Sequence, residues 1–188
     1  MWNLNAAIFL PEKENEILDH DCYQFLTSNY AAREDLMDTP LDVPDMKIFT
    51  DGSSFILDRK RKAGYAMATA EQVLEAKSLP QETSAQLVEL VALTRALELS
   101  KGQRVNIYTD SKYAYLTLHA HAAIWKENQF KTATGEPIKH FRESERLLTA
   151  IYCPKEVAVM HCKGHNRDGS KEADGNQLAD CQARKVAL

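Results

Sequence analysis

Met46-Lys47-Ile48-Phe49-Thr50-Asp51-Gly52 is the stretch at which this 188-residue chain changes texture. Met46 to Thr50 reads as a strand of mainly apolar and β-branched residues, with a carboxylate and a glycine following it. Gly64-Tyr65-Ala66-Met67-Ala68-Thr69 reads as its partner across the charged loop Asp58-Arg59-Lys60-Arg61-Lys62, and Val73 to Leu79, closed by Pro80, as a third strand. Three antiparallel strands are therefore expected to open the fold. Thr83-Ser84-Ala85-Gln86 has the spacing of a capping box, and Leu87, Leu90, Val91, Thr94, Leu97 and Glu98 follow at helical intervals up to Lys101-Gly102. Next come a short strand, Arg104 to Thr109, and a helix, Ser111 to His119. Two more helices, His121 to Phe130 and Phe141 to Tyr152, are separated by the turn residues Thr134 to Pro137. Val157 to His161 is the last strand, Lys163 to Gly175 a polar loop, and Asn176 to Ala187 the final helix. This order implies an α/β domain: a mixed five-stranded sheet, three antiparallel strands followed by parallel additions, flanked by helices.

Upstream of Met46 the pattern fades. Residues 1 to 44 carry two basic residues, Lys13 and Arg33, against nine acidic ones, a balance of −7 that leaves +3 for residues 45 to 188. Only Glu16 to Tyr30 could hold a short helix, so residues 1–44 read as a linker or the tail of a preceding domain, partly disordered and dispensable for folding. With 44% hydrophobic and 27% charged residues but only seven glycines and six prolines, a fibrous or low-complexity protein is excluded. No apolar run approaches the roughly 20 residues that span a bilayer, and the amino terminus lacks the basic-then-apolar order of a secretory signal. Cys22, Cys153, Cys162 and Cys181 show no disulfide-scaffold spacing, which fits a reducing compartment.

Four carboxylates stand out by position. Asp51 and Asp110 each follow an apolar strand, Glu89 sits between Val88 and Leu90 in the capped helix, and Asp180 lies in Leu178-Ala179-Asp180-Cys181. Singly each has an ordinary reading: a turn pair for Asp51-Gly52, an N-cap for Asp110, exposed helix positions for Glu89 and Asp180. Together they form an ordered set able to converge on one site, where burial requires pairing or a cation.

Thr50-Asp51-Gly52-Ser53-Ser54, Thr83 to Gln86 followed by Glu89-Leu90, Tyr108-Thr109-Asp110-Ser111, His161-Cys162-x-Gly164-His165 and Gly175-Asn176-x-x-Ala179-Asp180 resemble retroviral ribonuclease H. The likeness is to the gammaretroviral type at the C-terminus of reverse transcriptase, and it covers residue 45 to the end. His20-Asp21-Cys22 and Arg33 to Leu36 resemble the end of that enzyme's connection domain. The resemblance implies a ribonuclease H-like fold and a metal-dependent endonuclease that cuts the RNA strand of RNA–DNA hybrids during reverse transcription. It implies Asp51, Glu89, Asp110 and Asp180 as ligands of two Mg²⁺ ions roughly 4 Å apart, with Mn²⁺ as substitute. It implies His165 as a mobile proton shuttle. It also implies Ser84, Ala85, Gln86 and Tyr113 as contacts to the DNA strand, Gln86 and Tyr113 being equally readable as cap and core. The expected partners are the hybrid and the polymerase and connection domains; the expected locations are the virion or the host-cell cytoplasm.

Arg59-Lys60-Arg61-Lys62 is dense enough in charge to meet phosphates, or is a solvated turn. The helix that the family makes basic corresponds to His121 to Phe130, where only Lys126 and the nearby Lys131 are positive. His161, Cys162 and His165 lie close in sequence, but a strand turns His161 and Cys162 to opposite faces, against zinc. A remaining rival is a catalytically weak or inactive hybrid-binding module derived from a retroviral polyprotein.

Overall fold

In the computed structural model residues 31–164 and 169–188 are described; the expected helix over Glu16 to Tyr30, Cys22, and His165 lie outside them. The strands are β1 (Met46–Leu57), β2 (Lys60–Ala68), β3 (Val73–Leu79), β4 (Arg104–Thr109) and β5 (Glu156–His161). They form one sheet in the order β3-β2-β1-β4-β5, with β1, β2 and β3 antiparallel and β4 and β5 added parallel to β1. This is the mixed sheet expected from the sequence.

Ile48 and Phe49 are adjacent in β1, face opposite sides of the sheet, and are both fully buried, so both faces need cover. On the side of Ile48 lie α1 (Ala85–Leu99) and α4 (Phe141–Ala150), joined to the sheet through Leu90, Leu93, Leu97, Ile107, Leu147 and Val159. On the side of Phe49 lies α5 (Lys171–Ala187), with Tyr108, Met160 and Ala179. Gly175 of α5 rests on the Phe49 ring so closely that a Cβ would stand 2.2 Å from it. No helix among the described residues is long and apolar enough to cross a membrane.

Five local expectations are corrected. β1 does not stop at Thr50 but runs on to Leu57, because Gly52 through Leu57 pair with Tyr65 through Lys60. The hairpin loop therefore shrinks to Asp58-Arg59, both at positive φ (49° and 61°), as a two-residue turn matched to strand twist demands. The N-cap of α1 is Ser84, whose hydroxyl accepts from the Leu87 amide at 3.3 Å; Thr83 instead donates to Pro80 O, and Gln86 accepts from Lys139 Nζ at 3.2 Å. The helices expected over Ser111–His119 and His121–Phe130 form one run, α2 (Lys112–Leu116) joined to α3 (Ala122–Glu127) through a π-turn at Thr117–His121. That turn buries His119, whose Nε2 lies 2.9 Å from Val159 O. Finally, α5 begins at Lys171 rather than Asn176, capped by Ser170 and with Glu172 and Asp174 in its first turn, where they favour the helix dipole.

Residues 31–45 pack against the domain. Met37 bridges to Ala158, its amide donating to Val157 O and its carbonyl accepting from Val159 N, which covers the outer edge of β5. Asn106, wholly buried in β4, exchanges hydrogen bonds with the backbone of Leu41. The Arg33 guanidinium donates to the carbonyls of Ile151, Pro154 and Lys155, just beyond α4. The described part of the acidic leader is thus docked along the sheet, where the sequence suggested only a linker or a tail.

Candidate active site

The site arises from a fork in the sheet. Thr50 and Thr109 are the last paired residues of β1 and β4. Beyond them β1 continues against β2, whereas the chain after β4 turns into α2, capped by Ser111. Asp51 and Asp110 therefore emerge side by side at the carboxyl end of two parallel strands, where open sheets form ligand crevices. The Asp110 carbonyl is 3.1 Å from His161 Nε2, which ties β5 to the same point.

Glu89 comes from the second turn of α1. A Cβ on Gly52 would lie 2.8 Å from Val88 Cγ1 and 3.0 Å from Glu89 Cδ, so the missing side chain is what lets α1 settle here. Asp51, Glu89 and Asp110 each offer a carboxylate oxygen within 4.8 Å of the other two. Among the described residues this is the group of three suited to a metal ion; His161 and Cys162 join no such group. Cys162 packs with the α5 side and lies 3.6 Å from Asn176 Oδ1, whereas the His161 ring faces Tyr115. Asp180, half-buried on α5, is outside the trio but near enough for its charge to act on Asp51.

The electrostatics follow from burial and crowding. Asp51 is 6% exposed, and its pKa is raised to about 8 by burial first, then by Asp110 and Asp180. Glu89 is raised to about 9, again by burial and then by Asp51 and Asp110; the Gly52 amide pulls both back in part. Glu89 Oε2 is buried with no hydrogen-bond partner among the described residues. Three crowded carboxylates with one orphaned oxygen suit a small, hard divalent cation, which takes oxygen ligands and relieves the repulsion. The residues therefore fit a metal of the Mg²⁺ class.

Of the remaining expected site residues, Ala85 and Gln86 are exposed at the start of α1. Ser84 is half-buried, with its hydroxyl 3.1 Å from His140 Nε2. Tyr113 is half-buried against the core. His140, at positive φ (62°), and Lys139 beside it were not singled out by sequence reasoning. They lie more than fifty residues from the helix they meet, and only the fold reveals the pairing.

A mixed five-stranded sheet with carboxylates gathered where β1 and β4 part defines an RNase H domain. The family model described as RNase H matches residues 44–188, and the chain belongs to that family of enzymes. It is 50% identical over 185 residues to the Gag-Pol polyprotein of avian reticuloendotheliosis virus, a match covering 98% of this chain and 16% of that protein. The Gag-Pol polyprotein of baboon endogenous virus (strain M7) is 45% identical over 185 residues, covering 98% and 11%. The expected gammaretroviral likeness is thereby shown, and the chain spans less than a fifth of the length of these relatives. Two solved structures share the fold. The solution structure of the PFV RNase H domain has a TM-score of 0.61 and 24% identity, covering 77% of this chain and 94% of that one. The foamy viral protease-reverse transcriptase in complex with RNA/DNA hybrid has a TM-score of 0.62 and 20% identity, covering 95% and 22%.

Proposed function

We propose that this chain hydrolyses the RNA strand of RNA–DNA hybrids by divalent-metal catalysis, as the nuclease portion of a longer reverse transcriptase. The observation that carries the reading is the trio Asp51, Glu89 and Asp110 at the end of β1 and β4, with Glu89 Oε2 buried and unpartnered. Family membership and the hybrid-bound foamy viral structure support it. Asp51, Glu89, Asp110 and Asp180 would hold two Mg²⁺ ions, with Mn²⁺ as substitute. Such ions, when bound, activate water and stabilise the leaving 3′ oxygen at the scissile phosphate. The chain's own carboxylates set the position of that phosphate at the mouth of the crevice, with Asp51 central and shielded from water. His165 would carry a proton to or from the reacting phosphate. Ser84, Ala85, Gln86 and Tyr113 would meet the DNA strand, the first three at the start of α1.

In the whole protein, residues 45–188 would be the nuclease domain and residues 1–44 the end of a connection domain leading from the polymerase. The setting would be the virion or the host-cell cytoplasm. The test is cleavage of an end-labelled hybrid in Mg²⁺, in Mn²⁺ and in EDTA, for the wild type and Asp51→Asn. Metal-dependent cutting to 5′-phosphate and 3′-hydroxyl ends, lost in Asp51→Asn with the melting curve retained, is expected. Binding without cutting in either metal would instead assign the inactive hybrid-binding module, and equal cutting of duplex DNA would refute hybrid specificity.

A further inference from the structure

The β1–β2 hairpin carries charge that the fold does not use. Lys47, Lys77, Arg95, Arg104 and Arg146 are each ion-paired to a carboxylate. Among the described residues Arg59, Lys60, Arg61 and Lys62 have no such partner; Arg61 is held only by Ser54 Oγ at 3.1 Å. Four consecutive cations face only Asp58 nearby, and desolvated packing does not explain them, since Ile56, Arg61's cross-strand neighbour, is 67% exposed. Ser54 in turn donates to Thr83 O at 3.0 Å, next to the Ser84 cap. The chain Arg61, Ser54, Thr83 therefore fixes the hairpin beside the start of α1, the end of that helix nearest Glu89. The hairpin is also stiff: it is paired to its last residue, Leu57 with Lys60, and closed by a two-residue turn. Six strand steps beyond Asp51, at about 3.3 Å each, its tip stands about 20 Å from the carboxylates.

The helix run that would otherwise project charge is poorly supplied. Lys126 is exposed in α3, but Glu127 is exposed beside it. Resting on the function proposed above, we infer that the β1–β2 hairpin, through Arg59, Lys60, Arg61 and Lys62, is a second grip on the hybrid backbone. It binds phosphates several nucleotides from the one that is cut. A rigid row of unpaired cations suits a polyanion with regularly spaced charges, and contacts of this kind position a duplex without reading its sequence.

The test uses the full chain and the triple variant R59Q/K60Q/K62Q, which leaves the Arg61–Ser54 bond in place. Affinity is measured across a salt series for an RNA–DNA hybrid about two helical turns long and for one of about half a turn, which is too short to reach from the carboxylates to the hairpin. For the long hybrid the variant is expected to lose about tenfold or more in affinity at low salt. The slope of log affinity against log salt should fall by about 2 to 3, at roughly 0.9 per phosphate released. Cleavage at saturating hybrid, melting temperature and affinity for the short hybrid should be unchanged. An unaltered salt slope on the long hybrid, with the wild type still cutting it, overturns the hairpin grip and leaves the nuclease reading intact; equal losses on both hybrids also overturn it. A wild-type chain that neither binds nor cuts hybrid overturns both.

Discussion

Glu89→Gln should make the metal-free protein more stable at mildly alkaline pH, although it removes a residue of the site. Glu89 rises from 4.5 in the unfolded chain to about 9 in the folded one. A carboxylate raised in this way holds a proton after the unfolded chain has released its own. Its contribution is thus full below about pH 4.5 and is lost as pH climbs toward 9. At about 1.4 kcal/mol for each tenfold change in proton affinity, the whole span would be about 6 kcal/mol. Glu89 is only partly buried as a residue, and its titration is tied to that of Asp51, so water and relaxation absorb much of this. A gain on the order of 2 kcal/mol near pH 8 is expected for the amide, or roughly 4–8 °C in melting temperature for a domain of this size. Thermal melts in EDTA from about pH 4 to pH 9 provide the assay. The wild type should lose stability as pH rises, the variant should lose less, and the two curves should converge at the acid end. Added Mg²⁺ should raise the wild type and not the variant. Parallel pH curves, or a variant less stable than the wild type near pH 8 in EDTA, would refute the claim that an uncompensated buried carboxylate strains the site.

Gly175→Ala should lower stability by about 1–3 kcal/mol, because the new methyl meets the Phe49 ring with no free space, and a denaturant melt reads this directly. Glu75 accepts from Arg95, Tyr65 and Lys77, and chiefly the Arg95 guanidinium holds its pKa down to about 2. Its contribution is therefore present above about pH 4.5 and lost as pH falls toward 2, so Glu75→Gln should cost about 1–2 kcal/mol at neutral pH and little in strong acid. Acid melts of the two proteins that stay parallel down to pH 2 would contradict this. Arg33→Ala should cost about 1–3 kcal/mol by stranding the carbonyls of Ile151, Pro154 and Lys155, with faster hydrogen exchange at residues 151–155 as its local signature.

The elements with a strong local code were legible. Val73 to Leu79 and Arg104 to Thr109 end where the sequence said they would, because Pro80 and Asp110 stop them. The carboxylates were legible by their places after strands and within a helix, and three of the four meet. What escaped depends on tertiary pairing. β1 passes through Asp51-Gly52 because β2 supplies partners that no local propensity announces. α5 tolerates Gly175 because the Phe49 ring lies beneath it. The π-turn exists to seat His119 on β5, and a single-residue period gives no warning of that. The leader has no periodic face because it lies along an edge and uses backbone bonds and one arginine, not a stripe of apolar side chains.

The strap formed by residues 31–45 has a bearing on how the domain tolerates trimming. A sheet edge left bare is a template on which other chains can add strands. At one border, β3 displays Lys77 and an alternation of polar residues, a surface that discourages such addition. At the other, β5 depends on Met37 lying alongside it. A protease that nicks the chain before Ala31 leaves both borders guarded. One that cuts between Asp38 and Pro44 severs the strap from the strand that follows it, and once the strap leaves, it uncovers Val157 to Val159, the most apolar ribbon of the sheet. Maturation or storage of a protein containing this domain therefore has a safe side and a dangerous side, separated by about a dozen residues, and aggregation should track cuts on the second side rather than total cleavage.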